Sequence, residues 1–183
     1  LTAPTAGDAV LLGDSILTGC PAVKEKINVS PQETAVAPNL TVMENLELIA
    51  GIYGSDRKTA GTKAARMLSV FGLDEVAGSK AKTLSGGMQR RLSIAMALIS
   101  EPEILFLDEP TLGLDVLARR ELWDTIRKLK GEVTIILTTH YMAEADDLCS
   151  RVAIINHGLI LANAGPAQLK QDLDSRAHYE ITV

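Results

Sequence analysis

Aromatic residues are scarce in this chain, at 3% of the total, so a core must be filled by Leu, Ile, Val and Ala. Such a core is within reach, because 46% of the 183 residues are apolar and the length suits one domain, or one domain with a sizeable insertion. Cys20 and Cys149 are the only cysteines and have no metal-like spacing, which points to a reduced, intracellular protein. No apolar run approaches the ~18 residues of a membrane helix, and no signal-peptide pattern opens the chain. A membrane role must therefore come through a partner. The net charge of −5 argues against a clustered basic footprint, so no nucleic-acid partner is expected. An initial Met is lacking too: the chain opens on Leu1 in LTAPTAG and closes on Tyr179–Val183, a strand-like run that stops mid-course. Both ends read as cut from a longer protein. Most consequential, the phosphate loop G-x-x-x-x-G-K-[ST] is found nowhere.

What is present divides into two textures. Ala9–Leu12 before Gly13-Asp14 reads as a short strand and turn, and Ile27–Val29 as a strand running into the loop at Pro31-Gln32. A helical middle follows. Thr41 and Glu44 have the spacing of a capping box, and Leu46, Ile49, Ala50 and Tyr53 fall on one helical face. Ala64, Met67, Leu68 and Phe71 repeat the pattern, with Gly72 where a C-terminal cap belongs. Leu92, Ala95, Met96 and Ile99 give a third stripe. Strands then alternate with helices. Ile104–Leu107 and Val133–Thr138 read as strands buried on both faces. Ala118, Leu122, Ile126 and Leu129 mark a helix, and so does Met142–Cys149. Val152–Ile155 is a further strand, with a hairpin turn at His157-Gly158. This alternation predicts an α/β fold with a mainly parallel sheet. Residues 33–100 read as a helical insertion between core segments 1–32 and 101–183.

Several residues stand where chemistry is possible, each with an ordinary structural alternative. Asp108 and Glu109 end the strand ILFL, which Pro110 prevents from continuing. Ligands of open α/β sheets bind at the carboxyl ends of strands. Adjacent carboxylates there repel unless a cation or a reacting proton uses them. Asp108 could hold Mg²⁺ and Glu109 could orient or deprotonate a water, or both could simply be solvated. Ser85-Gly86-Gly87 open a helix whose N-terminal N–H groups suit a phosphate; the alternative is an N-cap and a loop. Asp115 stands where a helix cap would. His140 follows the strand TIILTT and is either a structural histidine or a donor to phosphate or water. Gln32, an amide on the loop after Pro31, is the weakest single signal.

In order the chain reads SPQ, LSGGMQRR, ILFLDEPTLGLD and TIILTTH. This series resembles the ATP-binding cassette family of ATPases over nearly the whole span from Pro4 to Leu169. Gln32 matches the family's Q-loop and LSGGM its signature, with Met88 where Gln is usual. Asp108 and Glu109 match the Walker B pair, TLGLD with Asp115 the D-loop, and His140 the switch histidine. The resemblance implies a P-loop NTPase-type core with its phosphate-loop segment missing, and an inserted helical subdomain at residues 33–100 that carries the signature. It implies ATP and Mg²⁺ as cofactors, Gln32 and Asp108 at the metal, and Glu109, His140 and Gln32 in hydrolysis. Ser85, Gly86, Gly87 and Asp115 would bind nucleotide.

One departure is large: members carry a Walker A loop before the position matching Leu1. Nothing replaces it, since Gly72 and Gly78 are six apart rather than five and Ala81-Lys82-Thr83 has Ala where Gly is required. The run LTAPTAGDAVLLG is similar to the turn and strand just after the family's Walker A helix. In the family the signature of one subunit faces ATP held by the Walker A of another. The resemblance therefore implies a second ATPase subunit, a transmembrane permease, and a place on the inner face of the membrane. TTHYMAEADDLCSRVAIINHGLILANAGPAQL is similar to the branch serving bacterial drug and polysaccharide exporters. Two rivals remain: a superfamily ATPase head acting in DNA maintenance or on the ribosome, and a non-enzymatic interaction fragment. The absence of sustained heptads between Gln32 and Ser85 disfavours a coiled-coil head.

Overall fold

A computed structural model describes residues 4–174, which form two compact units divided between Thr138 and Thr139. The first unit opens with a hairpin of β1 (Val10–Leu11) and β2 (Asp14–Ser15). Its turn places Leu12 and Gly13 at positive φ, 52° and 88°, the pair of left-handed residues that a two-residue hairpin requires. Helix α1 (Cys20–Lys26) carries Pro21 in its first turn, where a missing N–H is harmless. Strand β3 (Ile27–Ser30) then enters the main sheet.

Helices fill residues 33–100. Helix α2 (Val42–Ile52) starts at the capping box, with Thr41 and Glu44 bonding each other's backbone. Helix α3 (Arg57–Phe71) is capped by Asp56 and stops at Gly72, which adopts φ 60°. Hydrogen bonds from Thr59, and then Lys58, hold the Asp56 carboxyl below its ordinary value. The stability that this cap contributes is present above that ordinary value and is lost as pH falls through the lowered one. Short 3₁₀ turns at Asp74–Val76 and Ala81–Thr83 lead to α4 (Gly86–Leu98). The expected stripe on α4 widens into burial all round from Leu92 to Ile99. The helix is enclosed: it packs on β3 and β4 on one side and on α2, α3 and α5 on others.

Strand β4 (Ile104–Asp108), α5 (Val116–Lys128) and β5 (Thr134–Thr138) complete the unit. The three strands run parallel in the order β3-β4-β5, and Ser30 aligns with Leu107 while Asp108 aligns with Thr138. Leu105 and Leu107 are fully buried, and each such leucine contributes about 2 kcal/mol through apolar area removed from water. Strand β5 differs from expectation, since Thr134, Ile136 and Thr138 are exposed and Ile135 and Leu137 only half-buried. Among the described residues it pairs with β4 alone, and Ile136 shares its face with half-buried Phe106 and exposed Val29.

One further expectation shifts. Tyr53 lies past the end of α2 as its C-cap and is exposed. Asn45, unremarked in the sequence, is buried on that helix: its amide accepts from Ala37 N at 2.8 Å and donates to Thr41 O at 2.8 Å, tying down the preceding loop.

The second unit contains α6 (Met142–Leu148), β6 (Val152–Asn156), β7 (Leu159–Ala164) and α7 (Pro166–Asp174). Strands β6 and β7 form an antiparallel hairpin whose turn places His157 at φ 47° and Gly158 at 77°. Tyr179–Val183 lies outside the described residues. Among the described residues no helix is long and apolar enough to cross a membrane.

Candidate functional site

The signature segment makes a helix start in which each small residue has its own reason. Ser85 is the N-cap of α4, its Oγ accepting from Met88 N at 3.3 Å. A Cβ on Gly86 would meet nothing within 4 Å, whereas a Cβ on Gly87 would stand 2.9 Å from Ala118 Cβ. Gly87 is therefore a packing requirement, while Gly86 leaves its amide at the helix N-terminus open to an anion. Gly87→Ala should lower stability by about 1–3 kcal/mol through overpacking, with Gly86→Ala nearly neutral, as thermal melts would show. Equal losses at the two positions would contradict this packing.

Ala118 belongs to the first turn of α5, which Asp115 caps by accepting from Leu117 N and Ala118 N, each at 2.9 Å. Two helix N-termini, those of α4 and α5, thus lie side by side, and the cap reading of Asp115 is realised locally. Both start with a partial positive charge. Each cap should be worth about 1 kcal/mol, so Ser85→Ala and Asp115→Ala should each lower the melting temperature by a similar amount.

At the carboxyl end of β4, Asp108 is exposed and its Oδ1 accepts from Thr138 Oγ1 at 2.5 Å across the strand pair. Glu109 then leaves the ladder at φ 45°, in the left-handed region that non-glycine residues avoid. Its N–H donates to Thr138 O at 3.2 Å and Thr138 Oγ1 at 3.1 Å. Holding such a conformation costs about 1–3 kcal/mol and persists only where the surroundings fix it. Thr138 carries both duties, orienting the Asp108 carboxylate and anchoring the Glu109 turn.

Gln32 is exposed on the loop that follows β3. That loop is joined to the β4 end by Arg90 of α4, which is 4% exposed. The Arg90 guanidinium donates from Nη1 to Pro31 O, and to Gln32 O at 3.5 Å. It also donates from Nη2 to Asp108 O at 2.8 Å and from Nε to Pro110 O at 2.9 Å. Gln32, Asp108 and Glu109 are thus brought together through one side chain on the signature helix. His140 belongs to the second unit, one residue beyond its start, with its ring 4.1 Å from that of Tyr141.

Asp108 and Gln32 offer exposed hard oxygen donors of the kind Mg²⁺ takes. The described residues contain no group of three or more His, Cys, Asp or Glu that could hold a metal unaided. That donor set fits an ion bound by one or two protein oxygens and completed by phosphate and water.

Arg90 and Thr138 were not legible as functional residues. The one signal for Arg90 was a cation in line with Ile94 and Ala97, on the side of its helix opposite the Leu92, Ala95, Met96 and Ile99 stripe.

The sequence profile of the family described as "ABC transporter" matches residues 1–112, more than half of the 183-residue chain. The chain belongs to the ABC transporter family. A profile described as "AAA domain, putative AbiEii toxin, Type IV TA system" also matches residues 79–146, the stretch from the signature to the histidine. Among curated proteins, the daunorubicin/doxorubicin resistance ATP-binding protein DrrA of Streptomyces peucetius is 39% identical over 176 residues, covering 96% of this chain and 53% of the relative. The Nod factor export ATP-binding protein I of Cupriavidus metallidurans is 36% identical over 170 residues, covering 92% and 56%. The human phospholipid-transporting ATPase ABCA3 is 38% identical over 175 residues, covering 96% of this chain and 10% of the relative. This ABC-family chain therefore spans about half the length of the bacterial relatives it matches.

Proposed function

We propose that the protein containing this chain binds and hydrolyses ATP as one of a pair of cassettes. The observation that carries this reading is the strained Glu109, set beside Asp108 at a strand end and tied through Arg90 to the Gln32 loop. Glu109 orients or deprotonates the attacking water, with Gln32 beside it, and His140 donates to a phosphate oxygen or to that water. Asp108 and Gln32 would hold Mg²⁺, which supplies charge neutralisation at the phosphates when bound. Ser85, Gly86 and Gly87 present α4's N-terminus to the phosphate of ATP held by the partner cassette, and Asp115 lines the same interface. Closure of the pair drives a separate transmembrane permease, and the resistance and export proteins among the relatives support an exporter. Such a protein sits on the inner face of the cell membrane through its permease.

Residues 33–100 act as the helical subdomain that carries the signature. Their helices α2, α3 and α4 have 11, 15 and 13 residues. A span this short has no long coiled coil, which counts against a head of the DNA-maintenance type.

The test compares two preparations. The full-length protein should hydrolyse ATP in a Mg²⁺-dependent, saturable manner. A polypeptide of residues 1–183 alone, with no phosphate-loop lysine, should neither bind ATP measurably nor turn it over. Turnover by the shorter polypeptide would refute the expected division of roles, and a full-length protein that binds no nucleotide would leave only an interaction role.

A further inference from the structure

We infer that Arg90 is a positioning residue that links the two ATP sites to which one cassette contributes; this rests on the shared-site reading above. A guanidinium that is 4% exposed must have its donors satisfied, because burying a charge without hydrogen bonds is strongly unfavourable. The carbonyls that Arg90 grips are those on either side of the proposed hydrolytic groups. Asp108 O and Pro110 O flank Glu109, whose left-handed backbone they help to hold, while Pro31 O and Gln32 O belong to the Gln32 loop. Carbonyl oxygens in these three directions match the rigid, planar donor fork of Arg, which a Lys ammonium cannot reproduce.

Arg90 also stands in the second turn of α4, about one helical turn from the Ser85–Gly87 start. In a closed pair, Ser85–Gly87 serve the partner's ATP while Gln32, Asp108 and Glu109 serve the subunit's own. The guanidinium is then a short strut between one site's anion contact and the other site's water-orienting groups. A shift of α4 when its N-terminus engages phosphate is carried to both carbonyls beside Glu109. Filling one site thereby sets the geometry of the other, which is a coupling free energy between two distinct sites.

The test uses the full-length protein with Arg90→Lys and Arg90→Gln, the first keeping the charge and the second keeping a neutral amide donor. Cooperative ATP hydrolysis by the unaltered protein is measured first, so a failure confined to the Arg90 variants bears on this inference and not on the shared site. Both variants should bind ATP as single subunits within about twofold of the unaltered affinity. Their kcat should fall by up to about 10²-fold, the scale of a misplaced catalytic group, and the Hill coefficient should fall toward unity. An unchanged Hill coefficient in either folded variant overturns the inference, whatever happens to kcat. Should neither variant fold, amide exchange in Glu109→Gln protein decides. ATP should slow exchange together in residues 32–36, 86–92 and 107–113, and slowing in the 86–92 segment alone overturns the strut.

Discussion

Glu109→Gln should slow ATP hydrolysis by at least ~10²-fold while leaving ATP binding intact, in line with the contribution of a general base. The substitution removes the carboxylate's basicity and keeps its size. The main-chain bonds that fix the residue, from its N–H to Thr138 O and Oγ1, are untouched. The protein should therefore fold, bind nucleotide and accumulate as an ATP-bound pair that cannot proceed. Single-turnover hydrolysis together with gel filtration in ATP checks both halves. An unchanged rate would move the role of base elsewhere, with His140 the next candidate.

Gly86→Asp should abolish pairing and hydrolysis while leaving the single subunit able to bind ATP. The local structure makes this a clean test, because a side chain at Gly86 meets nothing within 4 Å. A carboxylate in the first turn of α4 also interacts favourably with the helix dipole, so the free subunit should be as stable as before. Only when another subunit's ATP approaches would two anions meet at short range in a partly desolvated interface. Their repulsion should oppose closure by several kcal/mol. Thermal melts separate this from misfolding. Ser85→Ala, by contrast, should lower stability modestly and leave the chemistry of the folded protein alone if Ser85 does no more than cap its helix.

The features legible in the sequence were those written in local chemistry. Thr41 with Glu44, Gly72 at the end of α3, and the His157-Gly158 turn each act through neighbours a few residues away, and each forms as expected. The parallel core followed from alternation of strand and helix. The misses are tertiary. Strand β5 has the apolar content of a strand buried on both faces, yet among the described residues it pairs with β4 alone and its alternate side chains are exposed. Little in the sequence marks Arg90 as buried, because its partners are main-chain groups of distant segments, and Asn45 is buried through main-chain groups of the stretch just before its helix. The positive φ of Glu109 is equally invisible, being imposed by Thr138, a residue 29 positions away. The carboxylates were readable as candidates; the clamp that holds them was not.

The shared site is tested most directly by mixing two defective full-length proteins, one carrying Gly86→Asp and the other a damaged Walker A lysine. Each mixed pair would contain one composite site with both defects and one with neither. ATPase activity should partly return in mixtures of proteins that are each inactive alone, with the recovered rate following the fraction of mixed pairs. No recovery in mixed pairs shown to form, under conditions where one intact site suffices for turnover, would contradict a phosphate site built from two chains.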